Sequence, residues 1–203
     1  EGRSPAQLRL VRYAGVNPAN GRPMYLDANG DLTYTSQDPG DQKLLGNSNP
    51  DFFGGFENTF SFKGLTVSGF FQYDYGRRAY ANDQFFLNVP YFTFNKNAAL
   101  LDRWKEPGDI TEVPKAFGSL LGPSLGVGDL TLYNDGTDPQ STFDSSRFIQ
   151  NASYIRLKQV RISYSLPESL IGGLSQLRSL EVFAQGSNLV TWTNYTGPDP
   201  ESV

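Results

Sequence analysis

Residues 53–75 read FGGFENTFSFKGLTVSGFFQYDY. In 53–62, Phe56, Phe60 and Phe62 alternate with Glu57, Thr59 and Ser61, and Asn58 is the one polar residue on the phenylalanine side. In 65–75, Leu65, Val67, Gly69, Phe71, Tyr73 and Tyr75 share one side, while Thr66, Ser68, Gln72 and Asp74 share the other with Phe70. Successive side chains of a strand point to opposite faces, so this period of two predicts two strands, each apolar on one face. Only Lys63 and Gly64 separate them, and Gly supplies the positive φ that a two-residue hairpin turn needs.

Working outward, 153–166 (SYIRLKQVRISYSL) predicts a third strand, with Val160, Ile162, Tyr164 and Leu166 opposite Gln159, Arg161, Ser163 and Ser165. Above Val160 the pattern inverts: Ile155 and Leu157 are apolar while Arg156 and Lys158 are charged, which suggests a bulge or a strand end leaving its first environment. A fourth strand is predicted over 178–191, with Leu180, Val182, Ala184 and Gly186 opposite Glu181, Phe183, Gln185 and Ser187, and a weaker one over 7–14. PMYLD and DLTYT flanking Ala28-Asn29-Gly30 suggest a small hairpin, and NAALLDRW at 97–104 a helical stretch stopped by Pro107.

The connections decide the class. They run 15–52, 63–64, 76–152, 167–177 and 192–203, alternating long and short. The 76–152 stretch far exceeds the usual loop of a compact domain. Strands of about ten residues joined by alternating short turns and long loops mark an outer-membrane barrel, with short turns periplasmic and long loops outside.

Composition agrees. The chain has 203 residues with no Cys and no His, a net charge of −4 and 14% aromatics. Thiol and Ser-His-Asp catalysis are thereby excluded, and so are thiolate metal sites. A sequence pI of about 4.8 speaks against nucleic acid as a partner. There is no apolar run of about 18 residues for a transmembrane helix, and nothing at Glu1 resembles a signal peptide. The mean hydropathy of −0.43 is compatible with a bilayer because a barrel offers lipid only alternate strand residues. Arg156 and Lys158, read on the lipid side, would each cost about 2–4 kcal/mol at the midplane but little at the interface. A span of about ten residues counted up from Leu166 therefore sets Lys158 at the membrane edge and Arg156 just above it. Five strands cannot close a barrel whose smallest members have about eight, so the chain reads as a fragment.

NASYIRLKQVRISYSLP at 151–167 and SLEVFAQGSNLVTWTNYTGPDPE at 179–201 resemble the C-terminal region of SusC/RagA-like TonB-dependent outer-membrane transporters. GVNPANGRPMYLDANGD at 15–31, NPDFFGGFENTFSFKGLTVS at 49–68 and DRWKEPGDITEVPK at 102–115 match in the same order. The resemblance implies an all-β fold: part of an antiparallel transmembrane barrel of roughly 22 strands. The chain would supply about five strands, with the plug and the final strand absent. It implies active import of oligosaccharides or peptides, no enzymatic activity and no cofactor. The implied partners are a SusD-like surface lipoprotein, the TonB complex through the absent N-terminal part, and outer-membrane lipid with lipopolysaccharide.

Lumen-facing candidates for substrate or plug contact are Glu57, Thr59, Ser61, Thr66, Ser68, Gln72, Asp74, Gln159, Arg161, Glu181 and Gln185. In the long loop, Tyr80, Phe85, Phe86, Tyr91, Phe92, Phe94 and Trp104 would form a small core, meet a lid or stack on sugar. Tyr73, Tyr75, Tyr164 and Trp192 suit a membrane-interface girdle. The acidic clusters DANGD at 27–31 and YNDGTDP at 133–139 lack EF-hand spacing and read as turns. A secreted all-β carbohydrate-binding module is the alternative class.

Overall fold

The computed structural model describes residues 4–34, 38–88, 95–116, 144–171 and 179–202. In chain order its elements are β1 (Gln7–Leu10), β2 (Arg12–Val16), β3 (Pro23–Leu26), β4 (Leu32–Thr33), β5 (Lys43–Asn47), β6 (Phe52–Phe62), β7 (Leu65–Tyr75) and β8 (Arg78–Tyr80), then α1 (Asn82–Asn88), β9 (Ile149–Asn151), β10 (Tyr154–Ser165), α2 (Glu168–Ile171) and β11 (Glu181–Thr193). They fall into two compact units, Glu1–Ser48 with Arg78–Gln150, and Asn49–Arg77 with Asn151–Val203.

The second unit is one antiparallel sheet in the order β6, β7, β10, β11. The β6–β7 hairpin closes on Lys63 (φ 46°) and Gly64 (φ 85°), both left-handed, the type I′ geometry whose twist matches that of paired strands. Phe62 pairs with Leu65 and the register runs unbroken to Phe52 with Tyr75. The glycine pair in FFGGF lets two aromatic rings lie flat on the sheet, one on each face. Tyr73 covers Gly54, and a Cβ on Gly55 would stand 2.8 Å from the ring of Phe70. Phe56 and Phe71, side by side on one face, stack at 4.8 Å.

The inversion in the third strand is a bulge. Leu157 pairs with Phe71 and Gln159 with Phe70, which leaves Lys158 as one extra residue against β7. Toward β11, Leu157 pairs with Val190 and Gln159 with Ser187, so the neighbour carries its own extra residue there and Asn188 turns left-handed (φ 51°). This corrects the placement of Arg156 and Lys158 on the lipid side. The extra residue restores the phase above it, so Ile155 and Leu157 stay with Val160, Ile162 and Tyr164. Arg156 faces Gln72 and Thr191 on the opposite face. The apolar face therefore runs on through Ile155 to Trp192, beyond the limit at Leu157 that the sequence suggested.

A second correction concerns 7–14. It is not a strand of the large sheet. β1 pairs with β5, and β2 pairs with β3, in small sheets of the first unit. The chain breaks strand geometry at Val11, which is 1% exposed and buries its side chain where alternation would turn it outward. Among the described residues the long sheet thus has four strands rather than about five. The small hairpin around Asn29-Gly30 is present as β3–β4, with Asp27 Oδ1 accepting from the amides of Asn29 (2.8 Å) and Asp31 (2.9 Å). The 97–104 helix is a short 3-10 turn, Ala98–Asp102, capped by the Asn97 side chain.

The first unit has its own core around Val11, Tyr25, Phe85, Leu100, Trp104 and Phe148. Phe85 and Phe148 meet edge to face at 5.4 Å, and Trp104 Nε1 donates to the Pro18 carbonyl at 2.9 Å. No described helix is long and apolar enough to cross a membrane, which says nothing about crossing by strands.

Candidate functional site

The sheet has two unlike faces. On one, Phe56, Phe60, Phe62, Leu65, Val67, Tyr73, Tyr75, Ile155, Ile162, Tyr164, Val182, Val190 and Trp192 are all exposed. Each such side chain left in water forgoes about 1.5–3 kcal/mol of burial, so this face requires an apolar cover. Its aromatics sit at both ends: Tyr73, Tyr75 and Trp192 near the long-loop end, and Tyr164 beside Leu65 near the Lys63-Gly64 turn.

The other face collects every residue named above as a lumen candidate. The register sets Ser68 between Thr59 and Arg161, Thr66 between Ser61 and Ser163, and Gln185 beside Arg161. Ser61 and Thr66 hydroxyls lie 3.0 Å apart, Arg161 pairs with Glu181 at 3.3 Å, and the Arg161 guanidinium lies 4.1 Å over the ring of Phe183.

At the long-loop end this face carries a charged network that the sequence reading missed. The Arg156 guanidinium donates to Thr191 Oγ1 (2.8 Å), Asp199 Oδ1 (2.5 Å) and Glu201 Oε2 (2.6 Å). Lys158 Nζ reaches both Glu201 oxygens at 2.7 Å, and Gln72 Nε2 donates to Tyr154 Oη (3.0 Å) and to Glu201 (3.4 Å). Asp74 pairs with Arg77 at 2.8 Å. The Asp199-Pro200-Glu201 segment is thereby folded back onto the bulge, and the Arg156 guanidinium holds the Asp199 carboxyl below its ordinary value, helped by the Glu201 amide. The available signal was two carboxylates at i and i+2 just beyond a strand, facing a strand whose alternation inverts at two cations.

Of the loop aromatics, Phe85 and Trp104 are buried in the first unit, Phe86 is exposed, and Tyr80 donates to Asp144. Burial and that carboxylate raise the Tyr80 phenol above its ordinary value. Tyr91, Phe92, Phe94 and the 133–139 cluster lie outside the described residues.

A twisted antiparallel sheet with a broad apolar outer face and a charged inner face is a section of the wall of a membrane β-barrel. No family profile matches the chain. It is 31% identical over 180 residues to TonB-dependent receptor P26 and 29% identical over 177 residues to TonB-dependent receptor P3, both of Formosa agariphila, each match covering 87% of this chain. Among solved structures, the RagAB peptide transporter matches with a TM-score of 0.78 at 27% identity, and the RagAB peptide importer in its open-open state with 0.76 at 27% identity; both matches cover 97% of this chain. Over most of its length the chain is therefore similar to one part of the TonB-dependent receptors, proteins of the outer membrane. It spans 16% and 15% of the two receptors' lengths and 20% of the matched structures' chains.

Proposed function

We infer that the chain supplies wall strands and outer loops to a SusC-like transporter. The whole transporter imports oligosaccharides or peptides across the outer membrane with a SusD-like lipoprotein lid and TonB-coupled energy. The observation that carries this is the two-faced sheet: the register of its four strands puts most of the exposed apolar side chains on one face and the ion pairs on the other, where Phe53, Phe70 and Phe183 are the exposed aromatics. In this reading lipid and lipopolysaccharide cover the apolar face, with Tyr73, Tyr75, Tyr164 and Trp192 at its interfaces. The polar face meets the lumen, the plug and passing substrate. The protein binds and conducts; the chain contributes no bond-making chemistry. A secreted carbohydrate-binding module would leave the apolar face to water.

Topology tests the reading directly in the full-length protein on intact cells. Cys at Lys63, in the short turn, is expected to be shielded from an impermeant maleimide, and Cys at Ile110, which is 94% exposed in the first unit, to label. Loss of nutrient uptake on deleting the lid gene completes the test. Labelling at Lys63 but not at Ile110 would refute it.

A further inference from the structure

On the polar face, beside the charged network, lies a cavity of about 470 Å³ lined by Phe53, Phe70, Gln72, Asp74, Tyr154 and Glu201 among others. Its hydrogen-bonding inventory is uneven. Asp74 Oδ2 is paired with Arg77, but Asp74 Oδ1 has no hydrogen-bond partner among the described residues although the side chain is only 6% exposed. A buried carboxylate oxygen left without a donor is costly and calls for a ligand or water group to meet it. Across the strand pair, Tyr154 is the register partner of Asp74. Its hydroxyl accepts from Gln72, so its own proton remains to be given. The cavity thus offers an acceptor and a donor on neighbouring strands, with exposed aromatic rings, Phe53 and Phe70, beside them.

We propose that this cavity is a subsite for one sugar ring of a neutral oligosaccharide, its hydroxyls meeting Asp74 Oδ1 and the Tyr154 hydroxyl and its C–H face meeting Phe53 and Phe70. This rests on the importer reading above and names its substrate class. The charge balance decides against a cationic group. Asp74 already has Arg77 at 2.8 Å, and Glu201 has Arg156 at 2.6 Å and Lys158 at 2.7 Å, so no carboxylate here lacks a cation. A sugar ring carries several hydroxyls that each give and accept, so one can donate to Asp74 Oδ1 while another accepts from Tyr154.

The test uses the full-length transporter in detergent and calorimetric titration with a library of neutral oligosaccharides of about four to eight sugars, alongside uncharged hexapeptides. At least one oligosaccharide is expected to bind. Tyr154→Phe and, separately, Phe53→Ala are each expected to weaken it about tenfold or more, the loss of one good contact. Phe53 is 77% exposed, so its truncation leaves folding intact if Tyr154→Phe does not. Saturable hexapeptide binding lost in these variants would overturn the proposal. So would oligosaccharide binding that survives both, or the absence of any oligosaccharide binding. Any of these, with the maleimide topology upheld, removes the sugar subsite and leaves the importer standing.

Discussion

Replacing Arg156 by Met removes the cation that holds the 199–201 segment on the sheet. Its side chain is 8% exposed, while the Asp199 and Glu201 side chains are 44% and 34% exposed. Truncating one partner of a fully buried pair costs about 3–5 kcal/mol, and an exposed pair is worth about 0–1. Here the carboxylates are half wet and regain hydration once the cation leaves, and Lys158 still holds Glu201 at 2.7 Å. The net loss falls between the limits, about 2 kcal/mol, which multiplies the open fraction of the segment roughly 30-fold. Hydrogen exchange on the full-length protein reads this locally. The Glu201 amide, which donates to Asp199 Oδ1 at 2.9 Å, is expected to lose about that factor in protection, while the ladder amides of β11 keep theirs. A change below threefold, or equal losses along β11, would refute the clamp.

Two other outcomes are expected. Phe71 and Phe70 are adjacent but face opposite sides, so Phe71→Arg should cost about 2–4 kcal/mol of barrel stability near the midplane and Phe70→Arg much less; equal yields of assembled protein in outer-membrane fractions would reverse the assignment of faces. The lowered Asp199 carboxyl gives a pH dependence of known sign. Its contribution is full above the ordinary value of 3.8 and disappears as pH falls through the lower folded value, so the protection of the 199–201 amides, relative to their intrinsic exchange at each pH, should be flat from neutral pH down to that range and fall only below it. Release at or above pH 5 would contradict the ion pair.

The sequence disclosed what alternation controls. The hairpin around Lys63-Gly64, the two faces of β7 and the phase of β11 are all local patterns of period two. It misled where a single residue broke the period. Alternation carried straight through Lys158 puts Arg156 and Lys158 on the lipid-side face, at and just above the membrane edge, whereas the bulge that the same inversion suggests turns Arg156 to the other face. The 7–14 stretch was given to the large sheet because its burial depends on distant partners, β5 and β3, that no local pattern names. The Asp199–Glu201 clamp likewise depends on distant partners, and its local hint, two carboxylates past a strand, does not name them. Its cations lie more than forty positions earlier, as the sequence separations of 43 and 45 for the Arg156 contacts show.

The extra residue at Lys158 also divides β10 into two independently phased halves. Below it, Val160, Ile162 and Tyr164 keep time with the membrane; above it, Tyr154 and Arg156 keep time with the charged network. An insertion in a plain strand would turn every residue beyond it inside out. Here the offset is already absorbed: Ile155 and Leu157 above the bulge rejoin the apolar face of Val160, Ile162 and Tyr164, and Arg156 is left free to hold the 199–201 segment on the other face.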